Sequence, residues 1–202
     1  MLRIITGTAK NVVLKVPNSG TRPMTDRAKT SLFDMLQKKI PGATILDLFA
    51  GSGALGLESL SRGARYAIFV DIAGESIDCI TDNITNCKFE KNQYALVHED
   101  AMDYLLKQVK KVYKNMKGDL GYTKYPLTYF DIIFITPPYK DISIESIRLS
   151  ARLLKEDGIL ITDCPIQDSI APEIADLVLV EKRQYGKFDL YFYLHKAFSE
   201  SL

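Results

Sequence analysis

The chain has 202 residues, of which 47% are hydrophobic and 25% are charged, and this composition is ordinary for a globular protein with one main core and a small appendage. The first ten residues do not resemble a signal peptide, and no apolar run approaches the roughly 20 residues that span a bilayer, so the sequence predicts a cytoplasmic protein with no membrane partner. The net charge is only +1, but residues 1–40 hold eight basic and two acidic side chains, a cluster that attracts polyanions such as nucleic acids and that a solvated helix face would also produce.

Residues 1–43 are predicted to form a basic extension with small elements of its own. The apolar runs at 3–6 and 12–16 predict a small β-hairpin. A helix is expected after it, from about Thr25 to Lys38, with the Thr25 side chain as its N-terminal cap.

The main domain is predicted to span residues 44–196, and residues 197–202 are predicted to form a tail. Short apolar runs alternate here with longer stretches of helical period, which is typical of β-α units that build a parallel sheet. The strands before the last two are predicted at 44–49, 66–71, 94–99, 130–136 and 158–164. The helices are predicted at 54–62, 74–87, 101–115, 142–154 and 166–176.

The last two predicted strands lie at 177–185 and 188–194, and only Gly186 and Lys187 separate them. A connection this short permits only an antiparallel hairpin, because a parallel connection needs a dozen or more residues. The predicted fold class is therefore α/β, with a mostly parallel sheet and a C-terminal antiparallel hairpin. This arrangement resembles the Rossmann-like sheet of class I methyltransferases, whereas the ordinary dinucleotide fold lacks the hairpin.

A metal site and a nucleophilic triad are not expected. The three cysteines, Cys79, Cys87 and Cys164, form no C-x-x-C pair, and their odd number argues against a disulfide framework. His98 and His195 have no partner residues at spacings that indicate a triad or metal ligands. The sequence therefore predicts chemistry that uses no metal.

A complete G-x-G-x-x-G motif, at Gly51, Gly53 and Gly56, follows the first strand of the main domain and opens the next helix. Such a loop brings the backbone close to a ligand at a helix N-terminus, as in proteins that bind NAD. Asp71 stands 20 residues after Gly51, at the end of the second strand, where an acidic side chain accepts hydrogen bonds from ribose hydroxyls. Neither feature separates NAD from other nucleoside ligands.

Asp47, in the strand beneath the loop, favours a cationic ligand. An NAD pyrophosphate is negative, whereas S-adenosylmethionine carries a sulfonium and an ammonium group. The run D-L-F-A-G-S-G resembles the first motif of class I methyltransferases, in which Asp47 would face the methionine end of the cofactor, Ile72 would pack on the adenine ring and Asp100 would take the adenine amino group. The residues expected to bind S-adenosylmethionine are Asp47, Phe49, Ala50, Gly51, Ser52, Gly53, Asp71, Ile72, Asp100 and Ala101.

The run Thr136, Pro137, Pro138 and Tyr139 ends the strand predicted at 130–136. Two consecutive prolines fix a rigid turn at the edge where an open α/β sheet binds its ligands. The run resembles the Asp/Asn/Ser-Pro-Pro-Tyr/Phe signature of amino-group methyltransferases, which implies that these four residues are catalytic. Acceptors at positions 136 and 137 would hold an exocyclic amine towards the methyl group, and the tyrosine would stack on a flipped base.

The resemblance extends over nearly the whole chain to the RsmD family, which methylates N2 of a guanine in 16S ribosomal RNA. The segments that carry it are RIITG (3–7), TRPMTDRAKTSLFDML (21–36), LDLFAGSGALGLESLSRGA (46–64) and RQYGKFDLYFY (183–193). The resemblance implies that Arg22, Pro23, Asp26 and Arg27 lie next to the cofactor and the RNA. It also implies S-adenosylhomocysteine as product, a monomer, and ribosomal RNA, the small ribosomal subunit or an assembly intermediate as partner.

Position 136 departs from the family pattern, which usually has Asp and sometimes Asn where this chain has Thr136. A hydroxyl is a weaker acceptor than a carboxylate and carries no charge. One alternative is therefore a catalytically weakened assembly factor that binds ribosomal RNA. Another is a protein-amide N-methyltransferase, although that class usually has a sizeable helical domain before the glycine loop and only 43 residues precede Thr44 here. An NAD-dependent oxidoreductase would leave the Pro-Pro-Tyr turn and the last hairpin unexplained.

Overall fold

The computed structural model describes residues 2–18, 24–116, 129–138 and 143–199. Its helices are α1 (Asp26–Met35), α2 (Ala54–Ser61), α3 (Gly74–Cys87), α4 (Ala101–Met116) and α5 (Ile144–Ala151). Its strands are β1 (Thr44–Leu48), β2 (Tyr66–Asp71), β3 (Tyr94–His98), β4 (Phe130–Ile135), β5 (Leu154–Pro165), β6 (Glu173–Ile174), β7 (Leu177–Tyr185) and β8 (Phe188–His195). None of the helices in these ranges is long and apolar enough to cross a membrane.

The eight strands form one sheet in the order β3-β2-β1-β4-β5-β8-β7-β6. The first five strands in this order pair in parallel, and the last three are joined by antiparallel pairs. This confirms the predicted fold class, including the hairpin between β7 and β8. Strand order reverses between β1 and β4, and an open α/β sheet offers a ligand crevice at that point.

Helices cover both faces of the sheet. On one face α1, α2 and α3 pack against side chains such as Ile45, Phe69 and Phe134, and on the other face α4 and α5 pack against Leu46 and Ile133. All five residues of β1 are buried, as expected for a parallel strand covered on both sides. The core therefore fixes β1 and β4, the two strands whose ends carry the sequence motifs.

The helix predicted after residue 24 begins as expected and ends early. The Thr25 side chain accepts a hydrogen bond from the Ala28 N–H at 3.3 Å, which confirms the predicted cap. The helix stops at Met35 rather than near Lys38. The predicted small hairpin before it is reduced to a single antiparallel bridge between Arg3 and Val13.

A buried side chain in α2 explains why the N-terminal hairpin does not extend. The backbone N–H groups of Ile5 and Thr6 donate to the Glu58 carboxylate, at 2.7 and 3.0 Å, instead of pairing with a second strand. Glu58 is fully buried and also forms ion pairs with Lys29 at 3.3 Å and Arg62 at 2.8 Å. The N-terminal segment is therefore held by a charged group of the helix that follows the glycine loop.

The prediction of a helix over residues 166–176 is wrong. The segment instead forms turns and the short strand β6, which pairs with the start of β7. Pro172 has no N–H to donate within a helix, and its carbonyl accepts from the Leu179 N–H at 2.7 Å. Pairing with β7 therefore replaces the hydrogen bonds that a helix would have supplied.

Candidate active site

The carboxyl ends of β1 and β4 meet at one point on the edge of the sheet. Leu48 and Ile135 are level in the parallel pairing of the two strands, and the Thr136 N–H reaches the Leu48 carbonyl at 3.5 Å. The glycine loop leaves β1 here, and the turn that begins with Thr136 leaves β4 here. Both motifs therefore leave the sheet at the same edge, where the reversal of strand order in an open α/β sheet offers a ligand crevice.

The glycine loop owes its shape to left-handed backbone conformations. The φ angles are 58° at Phe49, 54° at Gly51 and 72° at Gly53, which caps α2. A Cβ atom on Gly56 would lie 2.3 Å from Cε1 of Phe69, so only glycine lets α2 pack this closely on β2. A Cβ on Gly51 would come no closer than 4.0 Å to its nearest neighbour, so the space next to this residue is open.

Asp71 joins the loop after β1 to the loop after β2. One carboxylate oxygen accepts from the Gly51 N–H at 2.8 Å, and the other accepts from the Ala73 N–H at 2.9 Å. A carboxylate oxygen has more than one lone-pair site, so these bonds leave capacity for further donors. Asp71 thus fixes the mouth of the crevice, and its contact with a ribose hydroxyl stays a prediction.

Asp47 lies beneath the loop and is only 1% exposed. One of its oxygens accepts from the Gly56 N–H at 2.9 Å. Burial raises the pKa of this carboxyl to about 7, the nearby Asp71 carboxylate adds to the effect, and the bond from Gly56 opposes it. A cationic ligand close to the loop would stabilise the ionised form of Asp47, as S-adenosylmethionine would do.

We expect S-adenosylmethionine to bind more tightly as the pH rises from 6 to 7.5. The pKa of Asp47 is raised to about 7, so the carboxyl loses its proton within this interval and gains the charge that attracts the ligand. The affinity should increase up to about eightfold, since the ligand amino group, with a pKa near 8, stays mostly charged in this range. Isothermal titration calorimetry at four pH values measures the slope.

Asp47→Asn is the matched variant for this titration, because it keeps the acceptor for Gly56 and removes the ionisation. Its affinity should change little between pH 6 and 7.5. NAD serves as the control ligand and should neither bind measurably nor raise the melting temperature. If the affinity changed with pH equally in the wild type and in the Asp47→Asn variant, the charge of Asp47 would not contribute to ligand binding.

Two further residues predicted to bind the ligand lie just past the ends of β2 and β3. Ile72, directly after β2, is 65% exposed, which is unusual for a large apolar side chain and leaves a flat surface for a ring to cover. Asp100, after β3, accepts from the Met102 and Asp103 N–H groups at 2.8 and 3.2 Å in the first turn of α4. Ala101, which begins α4, is buried beside it.

Most of the predicted site residues come together at this edge. The structure gathers Asp47, Phe49, Ala50, Gly51, Ser52, Gly53, Asp71, Ile72, Asp100, Ala101, Thr136, Pro137 and Pro138 at the ends of four adjacent strands. Arg22, Pro23 and Tyr139 lie outside the described residues. Their predicted roles stay predictions.

Asp26 and Arg27 stand at the start of α1. Asp26 forms an ion pair with Arg3 at 3.5 Å, and Arg27 is exposed. In the described part of the chain, neither side chain bonds to the glycine loop or to residues 136–138. Their expected contact with RNA stays a prediction.

Asn83 supports the glycine loop and was not identified from the sequence. This fully buried α3 side chain donates to the carbonyls of Ser52 and Lys15, both at 3.0 Å, and accepts from the Lys15 N–H at 2.8 Å. The only sequence signal that could have indicated this role is an isolated asparagine at a core-facing position of a predicted helix. Within the described ranges, no group of three or more His, Cys, Asp or Glu side chains is arranged to hold a metal ion.

Comparison with known proteins gives a family for this chain. Residues 2–194 match the model of a family described as conserved hypothetical protein 95. The chain belongs to this family. The resemblance to the RsmD family is confirmed, because relatives that align with nearly the whole chain are named ribosomal RNA small subunit methyltransferase D.

Several relatives of the chain are named as ribosomal RNA methyltransferases. YlbH of Bacillus subtilis (strain 168), whose name provisionally assigns rRNA methylation, is 32% identical over 92% of this chain and 94% of its own. Ribosomal RNA small subunit methyltransferase D of Escherichia coli (strain K12) is 29% identical over 99% of this chain and 93% of its own. The solved structure of yhhF from Escherichia coli, provisionally described as a methyltransferase, has a TM-score of 0.77 and 28% identity and covers 96% of this chain and 98% of its own.

Proposed function

We propose that this protein transfers a methyl group from S-adenosylmethionine to the exocyclic N2 of a guanine in small-subunit ribosomal RNA. The supporting observation is that the two motifs leave neighbouring strands at one edge of the sheet, where the Thr136 N–H bonds to the Leu48 carbonyl beside the glycine loop. A methyl donor on the loop and an amine at residues 136–137 would then lie next to each other. The names of the relatives agree with this function.

The residues around the glycine loop fit S-adenosylmethionine. Gly51 leaves open space above the backbone, Asp47 offers a negative charge below it, and Ile72 offers an apolar surface beyond Asp71. When bound, S-adenosylmethionine supplies a methyl group on a positively charged sulfur. We assign Asp47 to the cationic end of this ligand, Asp71 to the ribose, and Ile72 with Asp100 to the adenine.

Residues 136–139 would hold the acceptor base. The exocyclic amine of guanine is a poor nucleophile because its lone pair is delocalised into the ring. The Thr136 hydroxyl and the Pro137 carbonyl would accept its N–H bonds and turn its lone pair towards the methyl group, and Tyr139 would stack on the flipped base. Positioning two reactants in this way supplies much of the rate acceleration that an enzyme needs.

The partner is ribosomal RNA, either free or within a small subunit or assembly intermediate, and no second copy of the chain is required. The enzyme is proposed to act as a monomer in the cytoplasm. The basic side chain of Arg27 is exposed at the start of α1 and would face the RNA together with Arg22.

Mapping the methylated nucleotides of small-subunit rRNA by mass spectrometry tests the proposal. Cells that lack the gene should lose one N2-methylguanine, and expression of the wild-type chain should restore it. Loss of a methylated adenine or cytosine would correct the base and keep the enzyme class. An unchanged rRNA together with an unmethylated glutamine in a translation factor would favour the protein-amide alternative.

The replacement of the usual acidic residue by Thr136 favours a second candidate, an assembly factor that binds S-adenosylmethionine and ribosomal RNA without turnover. Incubation of the purified chain with radiolabelled S-adenosylmethionine and small subunits from the deletion strain separates the two. The enzyme incorporates label into rRNA over many turnovers. An assembly factor binds both ligands and yields no labelled RNA.

A further inference from the structure

Asp163, two residues before the end of β5, has a carboxylate oxygen that no described residue bonds. Its Oδ1 atom is buried and has no hydrogen-bond partner among the described residues. Burial of an ionised carboxylate costs free energy, and burial here raises the pKa of Asp163 to about 7, although a hydrogen bond from its own backbone opposes the shift. The residue as a whole is partly exposed.

The position of Asp163 is level with Thr136. Phe134 pairs with Ile161 and Ile135 with Thr162 in the parallel register of β4 and β5. The next step along both strands places Thr136 beside Asp163, and neighbouring strands lie about 4.8 Å apart. Their side chains therefore begin next to each other at the end of the sheet where the crevice lies.

The two side chains also share a face of the sheet. Side chains alternate between faces along a strand, so Asp163 follows Ile161 and Thr136 follows Phe134. Ile161 and Phe134 lie in the same core cluster, under α1, whereas Cys164 lies in the cluster on the opposite face. This alternation places the Asp163 and Thr136 side chains on the face of the sheet that α1 covers.

The other buried carboxylates of the described residues all have donors. Glu58 accepts from two backbone N–H groups and pairs with Lys29 and Arg62. Asp47 accepts from Gly56, and Asp189 pairs with Lys182 at 2.8 Å. Asp163 differs from them because its buried oxygen contributes no bond to the fold, which suggests a bond to a ligand instead.

We propose that Asp163 supplies the carboxylate acceptor that this chain lacks at position 136, by accepting an N–H bond from the target amine and then its proton. The inference rests on the proposed function. As the amine nitrogen forms its bond to the methyl carbon, the carbon–sulfur bond breaks and its electron pair goes to sulfur. The nitrogen then releases its N–H proton to the Asp163 carboxylate, so charge and atoms balance.

Asp163→Asn tests this role, because the amide has nearly the same shape and cannot take the proton. We expect kcat for labelled methyl transfer to deproteinised small-subunit rRNA from the deletion strain to fall at least about 100-fold, the lower end of the range for loss of a general base. The KM for S-adenosylmethionine should stay within about twofold of the wild-type value. The urea midpoint should stay equal or rise, because a buried unpaired charge is removed.

Asp157→Asn is the matched control, since the same change falls on an exposed residue of β5 at the other edge of the sheet. It should leave kcat, KM and the urea midpoint at their wild-type values. The variant Asp163→Asn/Thr136→Asp places a carboxylate at the family position, and it should recover at least half of the wild-type kcat. A merely structural Asp163 would not be rescued in this way.

The outcomes separate the two proposals. No labelled rRNA with the wild type overturns the proposed function, and this inference falls with it. Full kcat in Asp163→Asn beside an active wild type overturns the Asp163 assignment and leaves the proposed function standing. A lower kcat that comes with a lower urea midpoint and no rescue by Thr136→Asp shows a structural role and also overturns the assignment.

Discussion

Replacement of Gly51 by asparagine is expected to weaken S-adenosylmethionine binding at least about 100-fold, or about 2.7 kcal/mol, without unfolding the protein. Asparagine tolerates the left-handed conformation that Gly51 adopts, with φ at 54°. Its side chain would enter the open space above the loop, where an added Cβ meets no atom closer than 4.0 Å. The steric conflict therefore falls on the ligand alone, and calorimetry measures the lost affinity.

Gly42→Asn is the matched control for Gly51→Asn. Gly42 also has a positive φ, at 76°, and an added Cβ there meets nothing within 4 Å. It precedes β1 and therefore lies at the opposite edge of the sheet from the loop. The Gly42→Asn variant should bind S-adenosylmethionine as the wild type does. If Gly51→Asn also bound the ligand normally, the ligand could not lie against the glycine loop.

Replacement of Glu58 by glutamine should lower the free energy of unfolding by about 3 to 5 kcal/mol, the usual cost when one partner of a buried ion pair is removed. Glu58 and Lys29 are both fully buried, and burial already lowers the pKa of the Lys29 amine. Without the carboxylate, the Lys29 and Arg62 charges face each other unpaired. Urea denaturation measures the loss.

Two further variants identify the cause of this loss. Glu156→Gln makes the same change at an exposed position of β5 and should alter stability by less than about 0.5 kcal/mol. The double variant Glu58→Gln/Lys29→Met removes both charges and should recover most of the loss, because an apolar side chain needs no counter-ion. Equal stability of the single and double variants would mean that the loss does not come from the unpaired lysine.

Much of the fold follows from local patterns in the sequence. The apolar runs around β1, β2 and β4 are flanked by turn residues, and the two-residue connection at 186–187 permits only one strand direction. The same logic locates the site, because the carboxyl ends of parallel strands meet at one edge and the motifs stand at those ends. Asp47, Asp71 and Thr136 could be assigned to one crevice for this reason.

The parts that the sequence did not predict depend on contacts between distant residues. The short N-terminal bridge results from Glu58, which takes two N–H groups from a segment more than 50 positions away. The strand β6 exists because β7 offers it a partner, although the segment around it has a helical pattern. Asp163 was not singled out because its significance lies in its register with β4 and in the donors that it lacks.

The contacts of Glu58 and Asn83 bear on how relatives of this protein could be recombined. Residues 5, 6 and 15 are tied by their backbone to these two side chains, one on each of the helices that flank the glycine loop. A chimera that exchanged only the leading segment between two relatives would keep foreign docking groups at positions 58 and 83. The exchange should succeed when positions 58 and 83 are taken from the same relative as the N-terminal segment.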